Sequence, residues 1–209
     1  MGYSHDWDRP RRIGKQVWRK IISDFCKVLP HLGIKLRGKD HKLGPTVTDD
    51  IVMFTNYYPY AKRPFYPQYF YFPRVVKDDN DPGGCKTRQR QYDLAVMVFL
   101  IIAKHYLKNR LRIYSDGSIE EWYPAVKKCI TILGYGLEEV KQMNLNEFLF
   151  SCEHLPWWQW HAVVSKKINQ LLSELEELKK TSQTCWEEDH ESSTSGSVAG
   201  THAQTQQSE

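Results

Sequence analysis

Three side chains that can bind zinc lie within ten residues of one another, namely Cys152, His154 and His161. A tetrahedral zinc site needs about four Cys or His ligands, so a fourth would have to come from another part of the chain. The options for it are Cys26, His105 and Cys129. The alternative is a structural Trp-rich turn whose histidines bind nothing, so the pattern leaves zinc open as a cofactor.

Complete catalytic signatures are missing from the sequence. Cys152 and His154 could pair as nucleophile and base, but side chains two positions apart seldom meet on a strand or a helix. The sequence also lacks a paired-histidine metal motif, a phosphate-binding glycine-rich loop, a Gly-x-Ser-x-Gly elbow and a His-Glu-x-x-His helix. We therefore expect no catalytic residues and no enzyme activity.

Aromatic and basic residues are interleaved between positions 57 and 74. Cations neutralise phosphates while exposed rings stack on unpaired bases, and proteins that bind single-stranded nucleic acid combine the two. The candidate ligands here are Lys62, Arg63, Tyr66, Tyr69, Tyr71 and Arg74. The alternative is that the rings of this segment form the core and that its cations lie on the solvated outside.

A second basic group precedes and enters the first predicted helix. It consists of Arg9, Arg11, Arg12, Lys15, Arg19 and Lys20. Clusters of this size serve nuclear import or contact phosphates, although the ordinary charged face of an amphipathic helix has the same pattern. In either case the positive field would attract a polyanion to this end.

The net charge of +4 conceals a strong asymmetry between the two halves. Residues 1–112 hold 22 Lys and Arg against 10 Asp and Glu, a net charge of +12. Residues 113–209 hold 7 against 15, a net charge of −8, and the two sums give the total. Such a difference in sign predicts a polyanionic partner for the first half and a solvated or protein-facing second half, without identifying the polyanion.

Apolar segments are too short for export or membrane insertion. A membrane span needs about 20 apolar residues and a secretory signal needs an apolar core near its start, and neither pattern is present. We expect a soluble protein made in the cytosol, with no membrane partner. The odd number of cysteines, five, then favours free thiols or a metal site over disulfides.

The elements of the first half follow from apolar spacing and prolines. Residues 1–12 are predicted to be an extended basic arm, and apolar positions every three or four residues predict a helix at 13–29. The frequent prolines of 45–84 exclude long helices and leave short strands at 50–54 and 69–76.

Two long helices are predicted in the second half. A segment without proline or glycine predicts a buried central helix with basic ends at 86–111, and an amphipathic helix is predicted at 156–180. The apolar seam of the latter has coiled-coil spacing over two heptads. Its residues are Val164, Ile168, Leu171, Leu175 and Leu178. The seam could form a dimer or pack onto the core of its own chain, and at this length we favour the core.

Between these helices a start signal conflicts with a helix breaker. Ser118 and Glu121 have capping-box spacing, but Pro124 argues for a later start. We therefore predict a helix at 123–133, which ends at a glycine, and a short helix at 137–143.

Beyond residue 180 the composition changes to Ser, Thr, Gln and Gly with a cluster of acids. Such a segment cannot bury enough apolar surface to fold, so we predict a disordered acidic tail at 181–209. Trp186, close to phosphorylatable Ser and Thr residues, has the form of a motif that folds on a host partner. A solubilising tail is the alternative.

Three short segments stand out, namely Val52-Met53-Phe54, Phe70-Tyr71-Phe72-Pro73-Arg74-Val75-Val76-Lys77-Asp78, and Cys152-Glu153-His154 followed by Trp157 and Trp158 before an acidic end. In these segments the chain resembles the small accessory non-structural nuclear phosphoprotein of parvoviruses. The resemblance covers the middle and the end of the chain. It implies a non-catalytic viral accessory protein of the host nucleus that supports viral replication and the processing of viral messenger RNA.

Together these patterns predict an α+β, mostly helical fold. It would be a single compact globular domain at 13–180 with a small proline- and aromatic-rich strand-loop region at 45–84. We expect a regulatory protein that binds RNA or single-stranded DNA in the host nucleus. The alternative is a transcriptional activator or host-factor adaptor that acts on host nuclear proteins through its acidic tail.

Overall fold

Helix α2 (Asp93–Leu107) forms the centre of the molecule. Twelve of its 15 residues are buried, as expected for a helix that is apolar on nearly every side. It packs against α1 (Lys15–Val28) and α3 (Ile119–Leu133). The molecule is a single α+β domain around one continuous hydrophobic core.

The computed structural model describes residues 3–38, 44–56, 68–77, 83–145, 165–166 and 168–182. Within these residues a short helix, α4 (Leu137–Lys141), and a further helix at 168–182 complete the helical part. The strands are β1 (His5–Asp8), β2 (Leu36–Arg37), β3 (Thr46–Val47), β4 (Ile51–Asn56), β5 (Phe70–Pro73), β6 (Gly84–Cys85), β7 (Arg112–Ser115) and β8 (Asn144–Leu145). Most of the predicted tail, residues 183–209, lies outside the described residues.

The central helix is shorter than the predicted 86–111. Arg88 and Gln89 have φ angles of 52° and 54°, which no helical turn contains, and the preceding Cys85 pairs with β1. The chain is therefore held in a strand and then a turn until α2 begins. At the other end, Lys108–Arg110 form a 3-10 helix. Absence of proline and glycine allows a helix over this range, but pairing with a distant strand decides where it starts.

The first sheet has the strand order β6-β1-β7-β8, with β1 antiparallel to both neighbours. His5 and Trp7 of β1 are buried, while Asp6 and Asp8 are exposed. The prediction of an extended basic arm at 1–12 is therefore wrong for β1, which is an interior strand. Its period-two alternation is the physical reason, because one face of the strand covers the core.

The second sheet is built around β4, which pairs antiparallel with β2, β3 and β5. The strands predicted at 50–54 and 69–76 correspond to β4 and β5. Phe70 and Phe72 of β5 are fully buried and contact the rings of Phe54, Phe99 and Trp7. The rings on this side of β5 are core, as the second interpretation of the aromatic segment expected.

Helix α3 begins at Ile119, four residues before the predicted start. The capping box is formed in both directions between Ser118 and Glu121, and Pro124 lies inside the helix. The cap and the burial of Trp122 outweigh the one backbone hydrogen bond that Pro124 removes. The helix ends at Gly134, whose φ of 75° suits a residue without a side chain.

The helix at 168–182 packs onto its own chain. Leu171 and Leu175 are buried in the core, and the other described residues of the predicted dimer seam, Ile168 and Leu178, pack against it. Outside the seam, Glu176 accepts a hydrogen bond of 2.7 Å from Lys141 of α4. The described part of the seam therefore faces its own domain, while Val164 and residues 156–163 lie outside the described residues. None of the described helices combines the length and apolarity needed to cross a bilayer.

Candidate nucleic-acid interface

Helix α1 presents a continuous positive face to solvent. Its buried side, which includes Trp18, Ile21 and Phe25, follows the helical period and packs on the core. The exposed residues of its other side are Lys15, Gln16, Arg19, Lys20, Ser23, Cys26 and Lys27. Asp24 is the one acid of this helix, and it is buried. Among its own residues α1 therefore exposes cations and no carboxylate.

The segment before α1 places two more arginines beside its first turn. Arg12 forms an antiparallel β-bridge with Val75, and main-chain hydrogen bonds of 2.8 and 2.9 Å flank this bridge. The side chains of Arg11 and Arg12 are both exposed. Because the bridge fixes their main chain, they extend the positive face of the helix. We call Arg11, Arg12, Lys15, Arg19 and Lys20 the basic face.

The first turn of α1 is electrostatically suited to an anion. Its N-cap is Gly14, which has no side chain to accept a hydrogen bond, and the first turn contains no acid. The N–H groups there form the positive end of the helix dipole, where an anion stabilises and a cation destabilises. Arg11, Arg12 and Lys15 thus add positive charge to a positive helix end, and a bound polyanion would relieve their repulsion.

A cavity of about 180 Å³ opens between α1 and the β3–β4 turn. It is lined by Lys15, Trp18, Arg19, Asp49, Asp50 and Arg74. Arg74 donates to the Asp50 carboxylate at 3.1 Å and to the carbonyl oxygens of Asp49 and Ile13, and its side chain is only 16% exposed. Arg19 lies 3.5 Å from Asp49, and both are exposed. Arg74 therefore ties the turn to the segment before α1, whereas the exposed Arg19–Asp49 pair is weak enough to exchange for a phosphate.

The other predicted nucleic-acid ligands are differently placed. The guanidinium carbon of Arg9 lies 4.4 Å from the centroid of the Phe72 ring, a cation–π contact that holds this half-buried side chain against the core. Tyr69 and Tyr71 are half-buried, Tyr71 on β5 and Tyr69 just before it. Lys62, Arg63 and Tyr66 lie outside the described residues.

The predicted zinc ligands Cys152, His154 and His161 also lie outside the described residues. In the part of the chain that the structure describes, no three His, Cys, Asp or Glu side chains are grouped to hold a metal ion. Two of the options for a fourth zinc ligand, Cys129 and His105, lie among the described residues. Cys129 is buried, which raises the pKa of its thiol, and Nδ1 of His105 lies 2.8 Å from Glu139. Zinc binding stays a prediction.

A buried Ser–His–Asp network around β1 was not predicted from the sequence. Nε2 of the fully buried His5 lies 2.7 Å from Oδ1 of Asp93, and Nδ1 lies 2.8 Å from Oγ of Ser115. Because a carboxylate only accepts, Nε2 carries a hydrogen, and because two N–H groups already donate to Ser115 Oγ, the Ser115 hydroxyl donates to Nδ1. Serine, histidine and carboxylate follow one another as in a hydrolase triad, but the two ring nitrogens are exchanged, because in the triad Nε2 contacts the serine.

Ser115 is nevertheless unsuited to act as a nucleophile. Its Oγ also accepts from the Gly117 N–H at 2.9 Å and from the Trp122 indole N–H at 3.1 Å, so its lone pairs and its hydrogen are all used. A Cβ at Gly117 would lie 2.4 Å from the Tyr3 hydroxyl, which shows how little space remains beside Ser115. The network therefore ties β1 to β7 and α2. The alternation of buried and acidic residues in β1 was the sequence signal for this strand.

A second polar cluster that sequence reasoning missed joins α1, α2 and the loop before α4. The carboxylate of Asp24 accepts hydrogen bonds from Lys27 at 2.7 Å, from Tyr135 at 2.8 Å and from Tyr106. Burial alone would raise the pKa of Asp24, but these three hydrogen bonds outweigh burial and lower it. With its carboxylate held by three donors, this cluster is also structural.

No family model, curated protein or solved structure matches the chain. Its function therefore has to follow from its own geometry. Of the three polar regions, the two around His5 and Asp24 are closed by partners within the fold. The basic face differs from both, because its five cations are exposed and α1 exposes no carboxylate of its own.

Proposed function

We propose that this protein binds nucleic acid by contacting phosphates with the basic face. The observation that carries the proposal is that α1 exposes cations and no carboxylate, with Arg11 and Arg12 added at its positive end. Cations at that end lower helix stability, so folding gives no reason for their placement. A polyanion gives one, because phosphates are attracted by the side chains and by the helix dipole together.

The five cations of the basic face set the expected salt dependence. Each phosphate that they neutralise releases a counterion, and log affinity falls with log salt by about 0.7 per contact for single strands. Five contacts therefore correspond to a slope of about −3.5. Contacts of this kind carry no base sequence information, so the affinity should depend weakly on sequence.

The biological setting of the proposal rests on the resemblance to the parvoviral accessory phosphoprotein. On that basis the nucleic acid is RNA or single-stranded DNA in the host nucleus, and the protein supports viral replication and messenger RNA processing without catalysis. The phosphate contacts themselves do not depend on the resemblance, because they follow from the surface of α1.

The experiment is a salt titration of affinity with the full chain and a fluorescent single-stranded oligonucleotide of about 12 nucleotides. A variant with Arg11, Arg12 and Lys15 all changed to Gln removes three contacts. We expect its salt slope to fall by about 2 and its affinity to drop more than tenfold at low salt.

The matched control changes Arg110, Lys127 and Lys166 to Gln. These three cations are exposed on other elements, so the control removes the same net charge from elsewhere on the surface. We expect it to keep most of the salt slope. Equal losses in both triple variants would mean that only overall charge matters, and no binding by the unchanged protein at low salt would refute the proposal.

A further inference from the structure

The second sheet has an outer face whose side chains point away from the core. In β4, Val52 and Phe54 are fully buried, and alternation along the strand puts Ile51 and Met53 on the opposite face. In β5, two fully buried phenylalanines flank Tyr71 in the same way, so the Tyr71 ring belongs to the outer face. All three outer side chains are half-buried. The outer face is thus apolar and aromatic where an exposed sheet face is usually polar.

Strand register brings these side chains into one row. Met53 is directly opposite Tyr71 on one side and Thr46 of β3 on the other. Side chains directly opposite each other in a sheet are about 4.5–5.5 Å apart at Cβ, so the three lie next to one another. We call Thr46, Met53 and Tyr71 the Tyr71 row. A ring supported by a flexible methionine and a small threonine offers a surface on which a flat group can stack.

The Tyr71 row lies close to the basic face along the same strand. The chain leaves β5 at Arg74 and then forms the bridge between Val75 and Arg12. At about 3.3 Å per residue, Tyr71 and Val75, the bridge partner of Arg12, are about 13 Å apart along the chain. Helix α1 packs on the inner face of this sheet, so Arg11 and Arg12 are the part of the basic face from which a single strand can extend its bases to the Tyr71 row.

Charge near the row also favours a polyanion. The acids of the β3–β4 turn, Asp49 and Asp50, lie within ion-pair distance of Arg19 and Arg74 respectively, so the four side chains add no net charge. Along the bridge, Arg11 and Arg12 of one segment and Lys77 of the other are exposed cations. A nucleic-acid strand that meets the row thus meets positive charge beyond it.

We propose that the Tyr71 row stacks unpaired bases, which makes single-stranded nucleic acid the substrate class of the basic face. This inference rests on the proposed function and adds the base-binding half of the site. A duplex keeps the faces of its bases stacked on each other and presents phosphates and base edges, whereas a single strand can also present base faces for stacking. The protein should then bind single strands more tightly than duplexes of the same length at the same salt.

The test compares two single strands of about 12 positions, oligo-dT and the same backbone with every base removed. Both have the same phosphates, so their difference in affinity for the full chain reports base contacts. We expect Tyr71→Ala to weaken oligo-dT binding about tenfold, which is about 1.4 kcal/mol, and to leave abasic binding and the salt slope unchanged. Tyr71→Phe keeps the ring and should keep affinity within about twofold.

The control is Tyr114→Ala, because Tyr114 is an exposed tyrosine of the other sheet, with 39% exposure. Tyr71→Leu fills the site without an aromatic ring and replaces the alanine variant if that one does not fold. Equal loss of affinity for both oligonucleotides, or unchanged oligo-dT affinity in Tyr71→Ala and Tyr71→Leu, would overturn the stacking inference without contradicting the phosphate contacts. If the unchanged protein binds neither strand, the proposed function fails and the inference with it.

Discussion

His5 and Arg12 are seven positions apart in the sequence, yet their surroundings are opposite in kind. Both ring nitrogens of His5 have partners inside the fold, and the serine that it contacts is also saturated. Arg12 is an exposed cation next to Arg11 and to the exposed cations of α1, a helix that exposes no carboxylate of its own. The first arrangement stabilises the folded chain, and the second costs it some stability. The difference indicates that a ligand should be sought at the basic face and not at the triad-like network.

The largest expected effect is on the closed network. His5→Ala removes the partner of the buried Asp93 carboxylate and of the Ser115 hydroxyl, and loss of one partner of a buried pair costs about 3–5 kcal/mol. Urea denaturation measures this loss. His31→Ala, at an exposed histidine, is the matched control and should change stability by less than about 0.5 kcal/mol. A loss below about 1 kcal/mol for His5→Ala would mean that the network does not hold β1.

The next effect concerns the pH dependence of the Asp24 cluster. Its hydrogen bonds hold the folded-state pKa of Asp24 below the unfolded value of about 3.9, so folding stabilises the ionised form. This contribution is complete above about pH 4 and is lost as the pH falls through the lower folded-state pKa.

Asp24→Asn should therefore cost about 1–3 kcal/mol at pH 7 and progressively less in acid. Urea denaturation of both proteins from pH 7 to pH 2 measures the difference. Tyr106→Phe and Tyr135→Phe each remove one donor and should produce part of the same change. The interpretation is wrong if the difference between Asp24→Asn and the unchanged protein is the same at every pH.

The smallest effect has opposite signs for stability and binding. Lys15→Glu places an acid at the positive end of α1, which should raise stability by about 0.3–1 kcal/mol and weaken single-strand binding at low salt. Thermal denaturation and the salt titration measure the two effects. Lys127→Glu on the exposed side of α3 is the control for the reversed charge. If Lys15→Glu lowers stability, Lys15 stabilises the folded chain as His5 does, and the contrast between the basic face and the His5 network is wrong.

How much of the fold can be predicted depends on the sequence distance of the deciding contacts. The apolar spacing of α1 and the apolar run of α2 are local, and both helices lie within the ranges predicted from them, although α2 is shorter than its range. β1 is a short strand whose partners, β6 and β7, come much later in the chain. No local sequence pattern identifies these partners. Pairing of Cys85 with β1 likewise delays the start of α2.

The candidate site shows the same limit. The cations of the basic face are visible as a cluster in the sequence, and their exposure follows from the helical period. Arg74 was predicted as a phosphate ligand by the same kind of sequence pattern, but its side chain binds Asp49 and Asp50 within the fold. These contacts form only when β4 and β5 pair, so the sequence does not show them. Among the rings, alternation on β5 separates the buried phenylalanines from Tyr71 once the strand is known.

The interior position of β1 has a consequence for synthesis. β1 emerges from the ribosome more than 100 residues before β7, its partner over the whole strand length. At about 5–20 residues per second, the segment waits about 5–20 s before it can pair. During that time Trp7 and the residues around it remain accessible to chaperones, so the first sheet can close only late in translation.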